Sequence, residues 1–236
     1  IWITDHKASG ICYVYMRLKF AQDAFPSGVP TLSAKVKGAK VYDPRTGTTA
    51  WSANAALIAR DYFAADYGLR ADLDRIRESY YVDAANICDE TVALLAGGTE
   101  ARYTVNGSFT TSNSPREIVK SIHTAMAGYP AYGQGAFSSI AGAYNAPTKS
   151  LNEDDLRSNL KTLPRHQIAS NFNSISGTFR GEESGWKDTD YPSIESATFL
   201  AEDGGKESRA DFPLPFTSSS TAAQRIAKIA LYRNRE

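Results

Sequence analysis

Around residue 51 the hydrophobic period of the chain changes, and that change constrains the fold more than any other feature. Upstream the apolar residues alternate. Residues 11–20, ICYVYMRLKF, place Cys12, Val14, Met16, Leu18 and Phe20 on one side and Ile11, Tyr13, Tyr15, Arg17 and Lys19 on the other, the pattern of a half-buried strand. After the loop PSGVP (26–30), TLSAKVKGAKVY sets Leu32, Ala34 and Val36 against Lys35 and Lys37; Gly38 interrupts the alternation and predicts a bulge before Val41 resumes the apolar face. Downstream of Trp51 the repeat is helical. Ala55, Leu57, Ile58, Tyr62 and Phe63 recur at helical spacing, with Asn54 as N-cap and Gly68 ending the run.

The remaining chain reads in the same way. A second helix is expected from Asp72 or Asp74 through Ile76, Tyr80, Tyr81, Ala84, Ile87 and Cys88. GGTEARYTVNG (97–107) reads as a turn, a strand through Tyr103 and Val105, and a hairpin turn at Asn106-Gly107. Ser114-Pro115-Arg116-Glu117 supplies a cap, a proline at the first helical position and a capping-box glutamate, ahead of a helix with Ile118, Ile122 and Met126 inward. PAYGQGAFSSIAGAY reads as a hairpin turning at Gly133-Gln134-Gly135, and Asn152 with Asp155 as the start of a short helix. IASNFNSISGTFRG and SATFLAED read as strands flanking a polar loop, EESGWKDTDYPS, and Ser220-Thr221 cap a last amphipathic helix.

Strands, helices with small hairpins, strands again and a closing helix make an α+β fold with antiparallel pairing rather than a βαβ alternation. The expected organisation is a β-rich domain from 1–50 plus 150–217, interrupted by a helix-rich insertion at 51–149 and closed by a helix at 218–236. The chain opens on Ile-Trp-Ile-Thr and stops at the end of a helical pattern, so it reads as a piece of a longer polypeptide.

Composition narrows the partners. Lys plus Arg and Asp plus Glu both number 26, so no net field draws in nucleic acid or an anionic membrane surface. No apolar run is long enough to span a bilayer. Cys12 and Cys88 are read as free thiols in the cores of a strand and a helix, and His6, His123 and His166 are scattered without zinc-ligand spacing.

The motifs that could carry chemistry are few. Asp43-Pro44-Arg45-Thr46-Gly47-Thr48-Thr49 has one glycine and lacks the lysine of a phosphate-binding loop, whereas aspartate, proline and glycine in this order are what a tight turn requires. Asp43 and Arg45 are therefore assigned to holding the corner, with Trp51 packing under the first inserted helix and Trp186 anchoring the turn beside Asp188-Thr189-Asp190. The acids Glu153, Asp154, Asp155, Glu182, Glu183, Asp188, Asp190, Glu202 and Asp203 fall in expected loops or helix starts, where carboxylates are solvated or capping. Asp188 and Asp190 lack the spacing and closing glutamate of a calcium loop. There is no nucleophile elbow, and neither cysteine has a basic neighbour in sequence. No catalytic residue, cofactor or metal ligand is assigned. Thirteen tyrosines suit interfaces or, alternatively, stacking on carbohydrate.

Several segments together resemble one family. KVKGAKVYDPRTGTTAWSANAALIARDY (35–62), AANICDETV (84–92), GGTEARYTVNG (97–107), SPREIVKSIHTAMAG (114–128), LNEDDL (151–156), FNSISGTF (172–179), WKDTDYP (186–192) and LAEDGGKESRADFPLPFTSSSTAAQRIAKIAL (200–231) are similar, in order and spacing, to the tail-tip or baseplate-hub proteins of long-tailed bacteriophages, the group related to host specificity (tip attachment) protein J of lambda-like phages. The resemblance spans about residues 30–236 and implies a structural virion protein without enzymatic activity. It also implies a homotrimer in the intact protein, in a hub ring that joins tail tube to tip around the DNA exit channel, with other tail proteins as partners. Assembly would take place in the host cytoplasm. Receptor-reading parts of that family lie downstream of the matching region. A carbohydrate-binding module contacting the cell surface is the alternative reading.

Overall fold

The computed structural model describes residues 13–19, 21, 23, 25, 26, 28, 29, 31–147, 149–159 and 171–235. The chain divides into two compact units, Ile1–Lys37 and Gly38–Glu236.

In the first unit the described part, 13–19, of the strand expected over 11–20 is not a strand. Residues 13–19 belong to no strand and are exposed throughout, Val14 at 71% and Tyr15 at 73%. Alternation defines two faces, but a strand exists only once a partner supplies the ladder. Residues 31–39 are likewise irregular and exposed, and the strand expected there is confined to its end, so no bulge forms at Gly38. Cys12, His6 and His166 lie outside the described residues.

The second unit is α+β. β1 (Lys40–Asp43) and β2 (Thr48–Trp51) form an antiparallel hairpin, Lys40 opposite Trp51 and Asp43 opposite Thr48. The helix α1 (Ala55–Ala64) follows, capped as expected by Asn54, whose side chain accepts from the amides of Ala56 and Leu57. Ala55, Ala56, Leu57, Ala59, Tyr62 and Phe63 are buried along it. Burial of a side chain the size of leucine or phenylalanine contributes about 2 kcal/mol, so this face rather than helix propensity holds α1 in place. The chain then doubles back, with Leu69 N–H bonded to the Tyr62 carbonyl at 3.0 Å. A Cβ on Gly68 would stand 1.8 Å from that same oxygen, which is why glycine ends the run.

The second helix begins later than its acids suggest. A 3₁₀ turn at Leu73–Arg75 comes first, then Ile76 bridges to Phe137 and the Arg77 amide donates to the Phe137 carbonyl at 3.0 Å. That pairing delays α2 to Glu78–Asp89. β3 (Thr91–Ala93) and β4 (Thr99–Ala101) make a hairpin turning at Gly97 and Gly98, both at positive φ. The expected strand through Tyr103 and Val105 is instead a buried extended connection, with Tyr103 N–H on the Cys88 carbonyl and Val105 N–H on the Ala53 carbonyl. Asn106-Gly107 does not turn a hairpin. Gly107 faces the Phe216 ring so closely that a Cβ would lie 2.6 Å from it.

α3 (Pro115–Thr124) starts at the proline as the spacing predicts, with Ile118, Ile122 and Met126 buried, though Ser114 makes no side-chain cap. β5 (Tyr129–Gly133) and β6 (Ala136–Ile140) form the expected hairpin, with Gln134 and Gly135 at its tip both at positive φ, as a two-residue turn needs. The short helix expected at Asn152 is a 3₁₀ turn, on which Asn152 and Asp155 close a capping box. β7 (Ser174–Arg180) is the middle of a three-stranded sheet. It is antiparallel to β8 (Asp188–Glu195) and parallel to β9 (Arg209–Asp211), so the pairing is mixed rather than wholly antiparallel.

Two assignments change here. The stretch expected to be loop contains β8, an edge strand with Pro192 within it and Tyr191 buried on its inner side. The following apolar run forms α4 (Ala197–Glu202), because Ser196 caps it through the Phe199 amide at 3.3 Å. α5 (Ser220–Arg233), capped by Ser219, lays Ala222, Ala223, Ile226, Ala227 and Leu231 inward. One cluster of buried residues runs from Val41 through α1, α2 and α3 to Ile175, Leu214 and Leu231.

Gly177 lies where β7 passes the chain at Phe212, and an added Cβ would stand 2.3 Å from the Phe212 carbonyl oxygen. Gly177→Ala is predicted to lower unfolding free energy by about 2–3 kcal/mol. Gly133→Ala, which meets nothing within 4 Å, is predicted to change it by less than about 0.5 kcal/mol. Urea denaturation of both variants checks the contrast, and equal effects would refute the packing account.

Candidate functional site

The turn at Asp43–Thr48 is where the sequence concentrates polar side chains, and it joins two strands of a hairpin. Gly47 N–H bonds the Asp43 carbonyl at 2.9 Å with Gly47 at φ +68°, and the Arg45 amide bonds Asp43 Oδ1 at 2.9 Å. The Arg45 guanidinium then folds over the turn. Its Nε donates to Asp43 Oδ1 at 3.0 Å and one terminal nitrogen to Asp43 Oδ2 at 2.8 Å. The other terminal nitrogen reaches α2 and donates to Asn86 Oδ1 at 3.1 Å, while the nitrogen on Asp43 Oδ2 also pairs with Asp89 at 2.9 Å.

Those bonds hold the Asp43 carboxyl below the usual carboxylate range and raise the Arg45 pKa further above its already high value. Asp89 stands at the C-terminal end of α2, where a carboxylate opposes the helix dipole, and Arg45 offsets that repulsion. Arg45 thus bonds the turn on one side and α2 on the other, an arrangement that clamps a hairpin to a helix.

Trp51 is 42% exposed at the end of β2, so it is not the buried anchor expected beneath α1. α1 instead buries its own Tyr62 and Phe63, and the Phe63 ring meets Tyr81 of α2 edge-on at 6.4 Å. Trp186 is 39% exposed and adopts φ +62° in the β7–β8 turn, its amide bonded to the Gly181 carbonyl at 2.9 Å.

The acids single out as pairs in sequence but not in space. Asp188 pairs with Arg180 across the β7–β8 hairpin at 2.6 Å, which holds its carboxyl below the ordinary range. Asp203 is bound by Arg235 and by the Asn173 amide, ties that lower its pKa in the same way. Asp155 serves the capping box. Glu100, absent from the sequence argument, takes bonds from Ser219 and Thr221 at 2.7 and 2.8 Å and from Arg225. Burial pushes its pKa up, and these bonds outweigh burial and hold it down. Among the described residues no group of three or more His, Cys, Asp or Glu side chains could hold a metal ion.

Two reactive side chains are locked in the core. Cys88 is wholly buried in α2, and burial pushes its thiol up to about 12. His123 is 2% exposed on α3; Nδ1 lies 2.7 Å from the Val119 carbonyl and Nε2 2.9 Å from the Ser139 hydroxyl. Ser139 is itself 1% exposed, so this serine–histidine pair meets no substrate-accessible surface. Sequence reasoning placed His123 mid-helix but did not find Ser139. The one available signal was the Ser138-Ser139 pair inside an otherwise apolar strand. A groove of about 310 Å³ lies between the end of α3 and α5, walled by Phe172, Phe212, Ile226 and Ile229, with Arg233 on it. No titratable pair converges there. No protein-family model matches the chain, and no curated protein matches it.

Arg45→Ala is predicted to destabilise the fold by about 1–2 kcal/mol, since it frees two carboxylates and an amide at once, and Trp51→Ala by less. Thermal unfolding of the two variants decides it, and a larger loss for Trp51→Ala would overturn the assignment. Cys88 is predicted to resist a thiol-specific aromatic disulfide reagent in the native chain and to react after guanidinium unfolding. Peptide mass mapping reads this out at Cys88 itself, and modification of the native thiol would refute its inertness.

Proposed function

We propose that this chain is a structural component of a phage or prophage tail tip, forming part of the hub ring that joins tail tube to tip, and that it acts by assembly rather than catalysis. The ordered set of segments similar to the tail-hub family motivates the reading. The structural observation that carries it is the exposure of an apolar, strand-patterned stretch. Val14, Met16 and Leu18 are 71, 46 and 40% exposed, and Leu32 and Val36 are 56 and 65% exposed. Alternating apolar side chains left open to water are an association hazard for a protein that works alone, and they are covered without cost in a closed ring of copies.

The disposition of the polar groups supports the same reading. Arg45, Arg180, Arg225 and Arg235 each tie one segment of the fold to another. The serine–histidine pair is sealed in the core.

Gold-labelled antibody raised against the chain is predicted to mark the distal end of phage tails in electron micrographs, and the intact protein to run as three copies by multi-angle light scattering. Label on capsids alone, or a tight dimer, would overturn the proposal. Saturable binding of lipopolysaccharide by the chain would favour the carbohydrate-binding alternative.

A further inference from the structure

His123 is surrounded by neutral or already paired groups. From α1, Phe63 meets the imidazole at 6.2 Å with the rings nearly perpendicular. From α2, Tyr81 brings a wholly buried hydroxyl beside Ser139 without a hydrogen bond of ordinary geometry. From β6 comes Ser139. Arg60 on α1 and Glu78 on α2 act on Tyr81 and are bonded to each other. On α3 itself Glu117 and Lys120 are exposed, as are Tyr129 and Tyr132 of β5. Among the described residues no carboxylate acts on His123 to neutralise an imidazolium.

The neighbours also assign the proton. A backbone carbonyl can only accept, so Nδ1 carries the hydrogen donated to Val119, and Nε2 is left as acceptor of the Ser139 hydroxyl. Burial keeps the ring neutral, and its second nitrogen is a polar tie between α3 and the β5–β6 hairpin.

We infer that the His123–Ser139 pair is an acid-operated latch, in which a solvent proton added at Nε2 releases the β5–β6 hairpin from α3 while the sheet around β7 stays folded. A proton at Nε2 turns acceptor into donor, so the serine hydroxyl must rotate its hydrogen away toward the Tyr81 oxygen. The new positive charge stays in the core with no counter-ion. Its cheapest relief is water, and the hairpin is the cheapest wall to open. β5–β6 is a two-stranded sheet of its own, and four of the five β5 residues are exposed. By contrast, β7 is paired on both edges and packed against α5.

The direction of the titration agrees. Burial lowers the His123 pKa from 6.5 to about 4. The closed state therefore binds the proton later than the open one, and closure is at full strength above the ordinary histidine pKa and is lost as pH falls from there toward about 4.

Amide hydrogen exchange of the whole chain, corrected for intrinsic rates, tests this. Exchange across 129–140 is expected to rise roughly tenfold per pH unit as pH falls from about 6 to about 4.5, while 174–180 and 220–233 keep their protection. In His123→Gln the hairpin exchange is expected to be independent of pH, whatever its baseline. An acid response that survives in the variant, or all elements exchanging together, would overturn the latch. Should the variant fail to fold, the imidazole resonances of the natural chain decide instead. A ring that titrates in the ordinary histidine range while the hairpin stays protected would be equally fatal.

Discussion

A two-stranded hairpin in water is marginal by itself, and three of the sheets in this fold are two-stranded. Each must borrow its stability from a helix, and the structure shows how the loan is secured. Arg45 in the β1–β2 turn grips the end of α2. Arg225 on α5 reaches Glu100 on β4 and the Arg102 carbonyl. Arg77, just ahead of α2, donates to the Gly133 carbonyl and to Gln134 at the tip of the β5–β6 hairpin. An arginine fork fixes direction as well as distance, which a lysine could not do. These pairs are partly solvated, so each contributes little energy. Their work is to set the angle at which the apolar faces meet, and the buried cluster of α1, α2 and α3 supplies the stabilisation.

Much of this was legible where local chemistry and tertiary packing ask for the same thing. Asn54 caps α1 with both bonds its position predicts, and the Gly133-Gln134-Gly135 run turns the hairpin it announces. The failures are physical rather than random. SATFLAED is too short for its apolar content to choose between periods, and the Ser196 cap decides for helix. β8 is an edge strand with one buried aromatic, so its alternation scarcely shows. At Asn106-Gly107 the glycine is needed for close approach to Phe216, a demand made by a residue more than a hundred positions away.

The candidate site shows the same division. Asp43 and Arg45 were found because their interaction is local, two residues apart; the hold of Arg45 on Asn86 and Asp89 was not, because it depends on where α2 ends. Trp51 was read from size alone, and size does not tell a core aromatic from one at the end of an exposed strand. Ser139 meets His123 only because β6 crosses α3 in one register. A shift of one residue would turn its hydroxyl to the other face of the strand.

Charge offers the last constraint on what the molecule recognises. Positive and negative side chains balance at 26 each, and many of the arginines are committed to carboxylates within the fold. Long-range steering is therefore weak. Among the described residues of the first unit, exposed apolar side chains are dense over 13–36. Under the proposed tail-hub role, that exposed apolar pattern is where neighbouring copies would make contact.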